Sequence, residues 1–526
     1  MRAGERPLSI AYWRLSRMPT KYSFHNNDPQ PASTPRLSTG IAGLDTVLRG
    51  GLTPNRLYLL EGTPGTGKTT VALQFLRAGV ARGDRCLYIT LSETQQELVA
   101  AAATHDWSLD GIDVYELVNE AGLDLDSGQS VLHPADMELN ETTRNVMARV
   151  EELGPALIVF DSLSEMRLLA QSPLRYRRQI LALKHFFANR ECTVLLLDDK
   201  TSEPGDLQLH SIAHGVMSLD QYVQEFGPER RRVRVIKMRG IQFDGGYHDI
   251  RLERGGMIVY PRLVAAQHHN NFVSDPLSTG VPALDELIGG GLVPGTNTLL
   301  SGPSGAGKTT TAIRCVMTAL QRGERVVYYL FDEGVGTLLT RSKLLGMDLQ
   351  PYLDSGALEM RQVDPAELSP GEFSSAVRHA VEADGARMLV IDSLNAYIQA
   401  MPGERFLMLH MHELLAYLNQ RGVTTILILG QHGFIGEIRS DIDLSYLSDA
   451  VLLFRFFEAK GEILTAISAL KSRTSAHGRM IREFRVTPGA GIRIGEALTD
   501  FEGVLSGVPT YRGSVALLDP DISDNN

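Results

Sequence analysis

Short runs of consecutive apolar residues recur along this chain, each separated by longer stretches in which apolar positions return every three or four residues. In the first half the runs are RLYLL from Arg56, RCLYIT from Arg85, ALIVF from Ala156 and TVLLL from Thr193; KTTVALQFLRAGVARG, between the first two, carries helical spacing. Runs that are apolar throughout predict strands buried on both faces, as in a parallel sheet covered by helices. Gly83 and Gly323 follow the predicted helices where a left-handed residue is needed to end them. After the fourth run the spacing tightens to GVMSLDQYV, RRVRVIKMRG and HDIRLERGGMIVY, and the second half has AVLLFRFFE, ILTAISALKSR and REFRVTP in the same place. Closely spaced strands of this kind predict an antiparallel hairpin region attached to the parallel sheet. The expected fold class is α/β, with helices on both faces of each sheet.

The two halves are copies. Leu37-Ser-Thr-Gly40 returns as Leu277-Ser-Thr-Gly280, and GTPGTGKTT from Gly62 returns as GPSGAGKTT from Gly302, both 240 residues later. Glu93, after RCLYIT, matches Glu333, after RVVYYL. ALIVFDSL with Asp161 matches RMLVIDSL with Asp392, and Lys237-Met-Arg239 matches Lys471-Ser-Arg473. A constant order with small drifts in spacing means duplication with loop insertions and deletions. The expected organisation is a flexible N-terminal extension over 1–35, a first domain over 36–266, a second over 267–513 and a short polar tail over 514–526.

Composition narrows the class without changing this picture. The 526 residues are 43% apolar and 21% charged, which excludes disordered, collagen-like and small disulfide-rich chains. A net charge of −11 argues against a protein whose main work is coating DNA. Cys86, Cys192 and Cys315 lie far apart in apolar segments with no CxxC pair, so reduced core thiols in a cytoplasmic protein are expected. No window approaches the ~20 consecutive apolar residues of a membrane helix, and the basic N-terminus lacks an apolar signal region.

The chemistry lies in the repeated motifs. Thr63, Pro64, Gly65, Thr66, Gly67, Lys68, Thr69 and Thr70, and again Pro303, Ser304, Gly305, Ala306, Gly307, Lys308, Thr309 and Thr310, form P-loop patterns between an apolar strand and an amphipathic helix. Their glycines let backbone N–H groups converge on phosphate oxygens at a helix N-terminus. Lys68 and Lys308 reach the β- and γ-phosphates of ATP, and the hydroxyls of Thr69 and Thr309 ligate Mg²⁺. Asp161 and Asp392 end apolar strands where a Walker B carboxylate holds the magnesium. Glu93, and the pair Asp332 and Glu333, follow the next strand, where a carboxylate can face the γ-phosphate and polarise water.

These residues together resemble the KaiC family, circadian-clock ATPases and autokinases of the RecA-like superfamily. The resemblance rests on the LSTGI lead, the paired P-loops, the acidic positions, the FDSL and IDSL boxes and the K-x-R hairpins, and runs from about Leu37 to Gly513. It implies two tandem RecA-like domains and a hexameric double ring with ATP between subunits. Lys237 and Arg239, and Lys471, Arg473 and His477, would then touch the neighbouring subunit's ATP, and the second domain would be the kinase. The family's acceptor serine falls on Ser445, the following threonine is Tyr446 here, and Ser440 matches a nearby threonine. At the first domain's glutamate pair this chain has Ser92-Glu93. The tail that docks the KaiA activator is shortened. KaiB-like or histidine-kinase and response-regulator partners are what the resemblance implies.

The expected function is therefore a timer-like ring that hydrolyses ATP and phosphorylates itself on serine. Two other readings fit parts of the pattern: a DNA recombinase or helicase motor, and a scaffold that binds ATP only to assemble. No aromatic and basic stripe for single-stranded DNA supports the first, and the acids retained beside both P-loops speak against the second.

Overall fold

A computed structural model describes residues 35–117, 134–170, 172–200, 208–224, 227–364, 366–399, 407–431, 445–459, 461–506 and 509–513. In the first half, strands β1 (Leu57–Gly62), β2 (Cys86–Thr90), β3 (Ile112–Glu116), β4 (Leu157–Asp161), β5 (Thr193–Asp198), β6 (Gly215–Tyr222), β7 (Arg230–Met238), β8 (Tyr247–Glu253) and β9 (Gly256–Tyr260) make one sheet. Its order is β3-β2-β4-β5-β1-β6-β7-β8-β9. The second half repeats this with β10 (Asn297–Gly302), β11 (Val326–Leu330), β12 (Leu358–Gln362), β13 (Met388–Asp392), β14 (Thr424–Gly430), β15 (Ala450–Ala459), β16 (Glu462–Ser472), β17 (Arg482–Thr487) and β18 (Gly491–Ala497). Here the order is β12-β11-β13-β14-β10-β15-β16-β17-β18. Each is a mostly parallel RecA-like sheet with an antiparallel end. Among the described residues no helix is long and apolar enough to cross a membrane.

The four apolar runs of the first half became β1, β2, β4 and β5, buried along their whole length. Alternate residues feed two cores: Tyr58, Leu60, Tyr88 and Val159 on one face, and Leu59, Ile89, Ile158 and Phe160 on the other. This is the two-sided covering that unbroken apolar strands require. The hairpin expectation holds from β7 to β9 and from β16 to β18, while β6 and β15 belong to both parts. They run parallel to β1 and β10 on one side and antiparallel to β7 and β16 on the other. Gly83 takes the left-handed conformation at the end of helix Lys68–Arg82, and Gly323 does so after helix Lys308–Gln321.

The halves touch through the hairpins of the first sheet. Asp249 on β8 accepts the Gly371 N–H at 2.8 Å, at the start of helix Pro370–Glu382. The next arginine along, Arg251, pairs with Glu372 at 2.7 Å. The buried Arg230 donates to the Ala366 carbonyl at 3.0 Å.

One close approach in the first half sets a stability test. Gly43, in the helix Ala42–Val47, lies against β9 so closely that a Cβ would be driven into the carbonyl oxygen of Val259. Because this is backbone and not the end of a flexible side chain, Gly43→Ala should cost about 1–3 kcal/mol of overpacking. The check is the midpoint of the urea transition of the first half. An unshifted midpoint would mean that the helix can slide off β9 freely.

Candidate active sites

Both P-loops leave the C-terminal end of the strand nearest the middle of their sheet and pass straight into a helix. The turn needs left-handed backbone, with φ of 85° and 97° at Gly65 and Gly67 and 80° and 95° at Gly305 and Gly307. A side chain at Gly67 would also crowd Leu252 and Met257 of the β8–β9 hairpin. Thr66 is buried and its hydroxyl donates to the Thr63 carbonyl at 2.8 Å, closing the loop on itself. Thr63, Pro64, Gly65, Ser304 and Gly305 line the open side, while Pro303 and Ala306 are buried beneath. Thr70 contacts His105 at 3.3 Å, and Thr310 is buried in its helix.

The two lysines are held differently. Lys308 Nζ donates to the carbonyls of Gly302 and Pro303 at 2.8 and 2.7 Å. Burial pushes this ammonium down to about 8, with Asp392 acting against the shift. Such a group gains from the arrival of phosphate charge. Lys68 makes the matching bonds to Gly62 and Thr63, at 2.8 and 3.2 Å. It also pairs with Asp199 at 2.8 Å.

The strand-ending aspartates sit where the sequence places them, beside the P-loop helix. Thr309 Oγ1 and the Tyr328 hydroxyl both donate to Asp392 Oδ2 at 2.9 Å. The Tyr88 hydroxyl donates to Asp161 at 2.5 Å. Burial raises the proton affinity of both carboxylates, and these hydrogen bonds oppose it. The peptide bond after each aspartate, to Ser162 and to Ser393, is cis. In the second half the Asp392–Thr309 pair offers hard oxygen ligands next to the P-loop, the donor set that suits Mg²⁺, and in the first half Asp161 and Thr69 both neighbour Tyr88. In the second half the P-loop, Asp332, Glu333 and Asp392 line a cleft of about 880 Å³, within the roughly 300–1,000 Å³ of small-molecule sites. The residues fit a nucleoside triphosphate with its magnesium.

The acids on the water side differ between the halves. Glu93 is half-buried, and burial raises its proton affinity, with Asp161, Glu97 and Asp199 adding to the rise. Glu333 pairs instead with Arg341 at 2.8 Å, and the first-half position matching Arg341 is Ala101. Asp332 accepts a short hydrogen bond from Ser393. Asp199, Tyr88, Tyr328 and Arg341 were not legible as site residues in the sequence. Asp199 follows an apolar strand whose counterpart ends in Gly430, so the repeat gives no match for it.

Lys237, Arg239, Lys471 and Arg473 lie at the opposite end of their sheets from the P-loops. Arg239 N–H donates to the His214 carbonyl, and His214 N–H donates to Leu57, the first residue of β1. The P-loop leaves the far end of this six-residue strand, roughly 20 Å away at about 3.3 Å per residue. Arg473 is joined through Asp449 to Asn297, at the start of β10, in the same way. None of these side chains can reach the P-loop of its own half. A bulge precedes each lysine, where the register shifts between Val216 and Met217 and between Val451 and Leu452, and bulges re-aim the side chains beside them. The Lys237 ammonium donates to the His210 carbonyl, Arg239 to Ser211 at 2.8 Å and Lys184 to Ile212 at 2.8 Å. Burial and the neighbouring Arg239 and Lys184 push the Lys237 ammonium down. His477 sits in the loop after β16, next to Gly478, which donates to the Leu287 carbonyl.

The backbone of Ser445 opens the short 3₁₀ turn Ser445–Leu447. Arg473 donates to the Tyr446 carbonyl at 3.2 Å and Lys471 to the Ser448 carbonyl at 2.7 Å. The turn is thus tied to the basic pair, and Tyr446 is exposed. Ser440 lies outside the described residues.

The family model for the KaiC ATPase matches residues 37–264 and again 277–499. The circadian clock oscillator protein KaiC of Parasynechococcus marenigrum is 26% identical over 481 residues, 90% of this chain and 93% of the relative. That of Prochlorococcus marinus subsp. pastoris is 27% identical over the same length and shares. That of Synechococcus elongatus is 25% identical over 496 residues, 92% of this chain and 94% of the relative. The chain belongs to the KaiC family of ATPases.

Proposed function

We propose that this KaiC-family chain binds ATP in both halves, hydrolyses it in the first and, in the second, transfers phosphate to Ser445, with the chains assembled as a ring that acts as a timer. The observation that carries the reading is the paired geometry of Lys68 with Asp161 and Lys308 with Asp392 at the C-terminal edges of two matched sheets. Lys68 and Lys308 take the β- and γ-phosphates of ATP, and Mg²⁺, which Thr69 with Asp161 and Thr309 with Asp392 would hold, would neutralise phosphate charge. In the first site Glu93 accepts a proton from water as the water oxygen bonds to the γ-phosphorus. The bond to the bridging oxygen breaks, and ADP and phosphate leave.

In the second site Asp332 and Glu333 are the acids available to take the serine proton as the serine oxygen bonds to the γ-phosphorus and ADP departs. Ser445 stands near the start of β10, far from its own P-loop, so the acceptor must present itself to the second site of a neighbouring chain. Lys237 and Arg239, and Lys471 and Arg473, likewise lie a strand length from their own P-loops, and His477 follows in the loop after β16. They are proposed to contact the neighbour's ATP, which links nucleotide binding to association. The six-fold count and partners of the KaiB or histidine-kinase type rest on the family resemblance.

The test combines occupancy with modification. Lys308→Ala should halve the nucleotide bound per chain and remove phosphate from Ser445 in peptide maps made after incubation with ATP and Mg²⁺. Lys68→Ala should halve the nucleotide and leave the second P-loop loaded. Unchanged nucleotide content in either variant removes that site from the proposal. A clean Ser445 peptide in the parent protein leaves an ATPase without kinase activity.

A further inference from the structure

The first site lacks an acid at Ser92, where the second site has Asp332. In the first site a carboxylate from a different strand accepts from the matching serine. Ser162 and Ser393 occupy matching positions, each directly after the aspartate that ends β4 or β13. In the second site Ser393 donates to Oδ2 of Asp332. In the first, Ser162 donates to Oδ2 of Asp199 at 3.3 Å, and Ser164 donates to the same oxygen at 2.8 Å. Asp199 extends from the end of β5, and strand pairing shows what replaces it in the other half. Glu61 of β1 stands opposite Asp198, and Ser301 of β10 opposite Leu429, so the residue matching Asp199 is Gly430. One half therefore carries aspartate after β11 and glycine as the last residue of β14, while the other carries serine after β2 and aspartate after β5. Both sites gather three carboxylates: Glu93, Asp161 and Asp199 in one, Asp332, Glu333 and Asp392 in the other.

We propose that Asp199 is the second acid of the first site, a positioning residue that orients Lys68 and places negative charge beside Glu93. Its Oδ1 holds Lys68 Nζ at 2.8 Å, and Oδ2 is fixed by the two serines, so the carboxylate is clamped at both oxygens. Burial alone would raise its proton affinity, but the bonds from Lys68 and Ser164 and the lysine's charge outweigh burial and keep it ionised. A fixed anion near Glu93 favours transfer of a water proton to that glutamate, because it disfavours a second bare charge close by.

This inference rests on Glu93 acting as the base of the first site, so the experiment separates the two. All variants are made in the full-length chain carrying Lys308→Ala, and turnover is read beside nucleotide bound per chain. Asp199→Asn should lower kcat about tenfold or more, the scale of a misoriented catalytic arrangement, with nucleotide content held. Adding Ser92→Asp to Asp199→Asn restores an acid at the position Asp332 holds in the second site, next to the Ser162 hydroxyl, and should recover most of the lost rate. A merely structural Asp199 would not be rescued by a carboxylate from another strand. Asp199→Asn turnover within twofold of the parent overturns the proposal, as does loss of nucleotide together with rate, or failure of Ser92→Asp to restore it. Glu93→Gln in the same background reads the underlying assignment: full turnover there defeats both, whereas loss of turnover with Glu93→Gln but not with Asp199→Asn defeats only the role of Asp199.

Discussion

Arg239→Ala is expected to slow hydrolysis in the first site by on the order of 10³-fold, the loss typical of a removed arginine finger, while ATP stays bound. The reasoning is geometric. Arg239 is exposed at the start-of-strand end of the first sheet and is anchored by one bond to the Ser211 carbonyl. Its own P-loop is a full strand length away, so the guanidinium can neutralise transition-state charge only on another chain's nucleotide. Binding of ATP by its own chain uses Lys68 and the loop backbone, which the substitution leaves intact. Mixing supplies the decisive check. Rings built from Arg239→Ala chains and Lys68→Ala chains, each carrying Lys308→Ala, contain some interfaces that join an intact Lys68 to an intact Arg239. Partial recovery of turnover on mixing is expected, although neither variant is active alone. Full turnover in Arg239→Ala by itself, or no recovery on mixing, would remove the contact across the interface.

The strands that position these sites were readable where burial is complete. β1, β2, β4 and β5 are apolar along their whole length because helices cover both faces. β3 (IDVYE) and β12 (LEMRQ) lie at sheet edges and bury little beyond their first residue, so no apolar run announces them. The placing of β6 beside β1 is a pairing across some 150 residues of chain, which spacing along the sequence does not encode. The P-loops and strand-end aspartates were legible because they are contiguous and duplicated. Asp199 was not, since the halves use different strands for that acid. Lys237 and Arg239 stand out only through the resemblance; the bulge that turns them depends on pairing with β6 and leaves no trace in the residues themselves.

The acid limb of the pH–rate profile should identify Glu93 as the base of the first site. Burial raises its proton affinity first, and the negative charges of Asp161, Glu97 and Asp199 raise it further. A base whose affinity is raised is protonated, and so inactive, at pH values where an ordinary glutamate is still ionised. Turnover in the Lys308→Ala background should therefore fall as pH drops from neutrality, beginning above the usual glutamate range, and level off on the alkaline side. Glu93→Gln keeps the shape of the side chain but cannot accept a proton. It should reduce turnover by roughly 10²–10⁴-fold and abolish this acid limb, with nucleotide content unchanged because Lys68 and Thr69 remain. Most of the ATPase activity of the unmodified protein should vanish with it. The corresponding Glu333 has one oxygen taken by Arg341 at 2.8 Å, whereas Ala101 stands at the matching position of the first half and Lys68 is the positive charge that opposes the rise at Glu93. If Glu93→Gln spares turnover or leaves the acid limb in place in the Lys308→Ala background, the water is activated by another group, and the assignment of Glu93 fails.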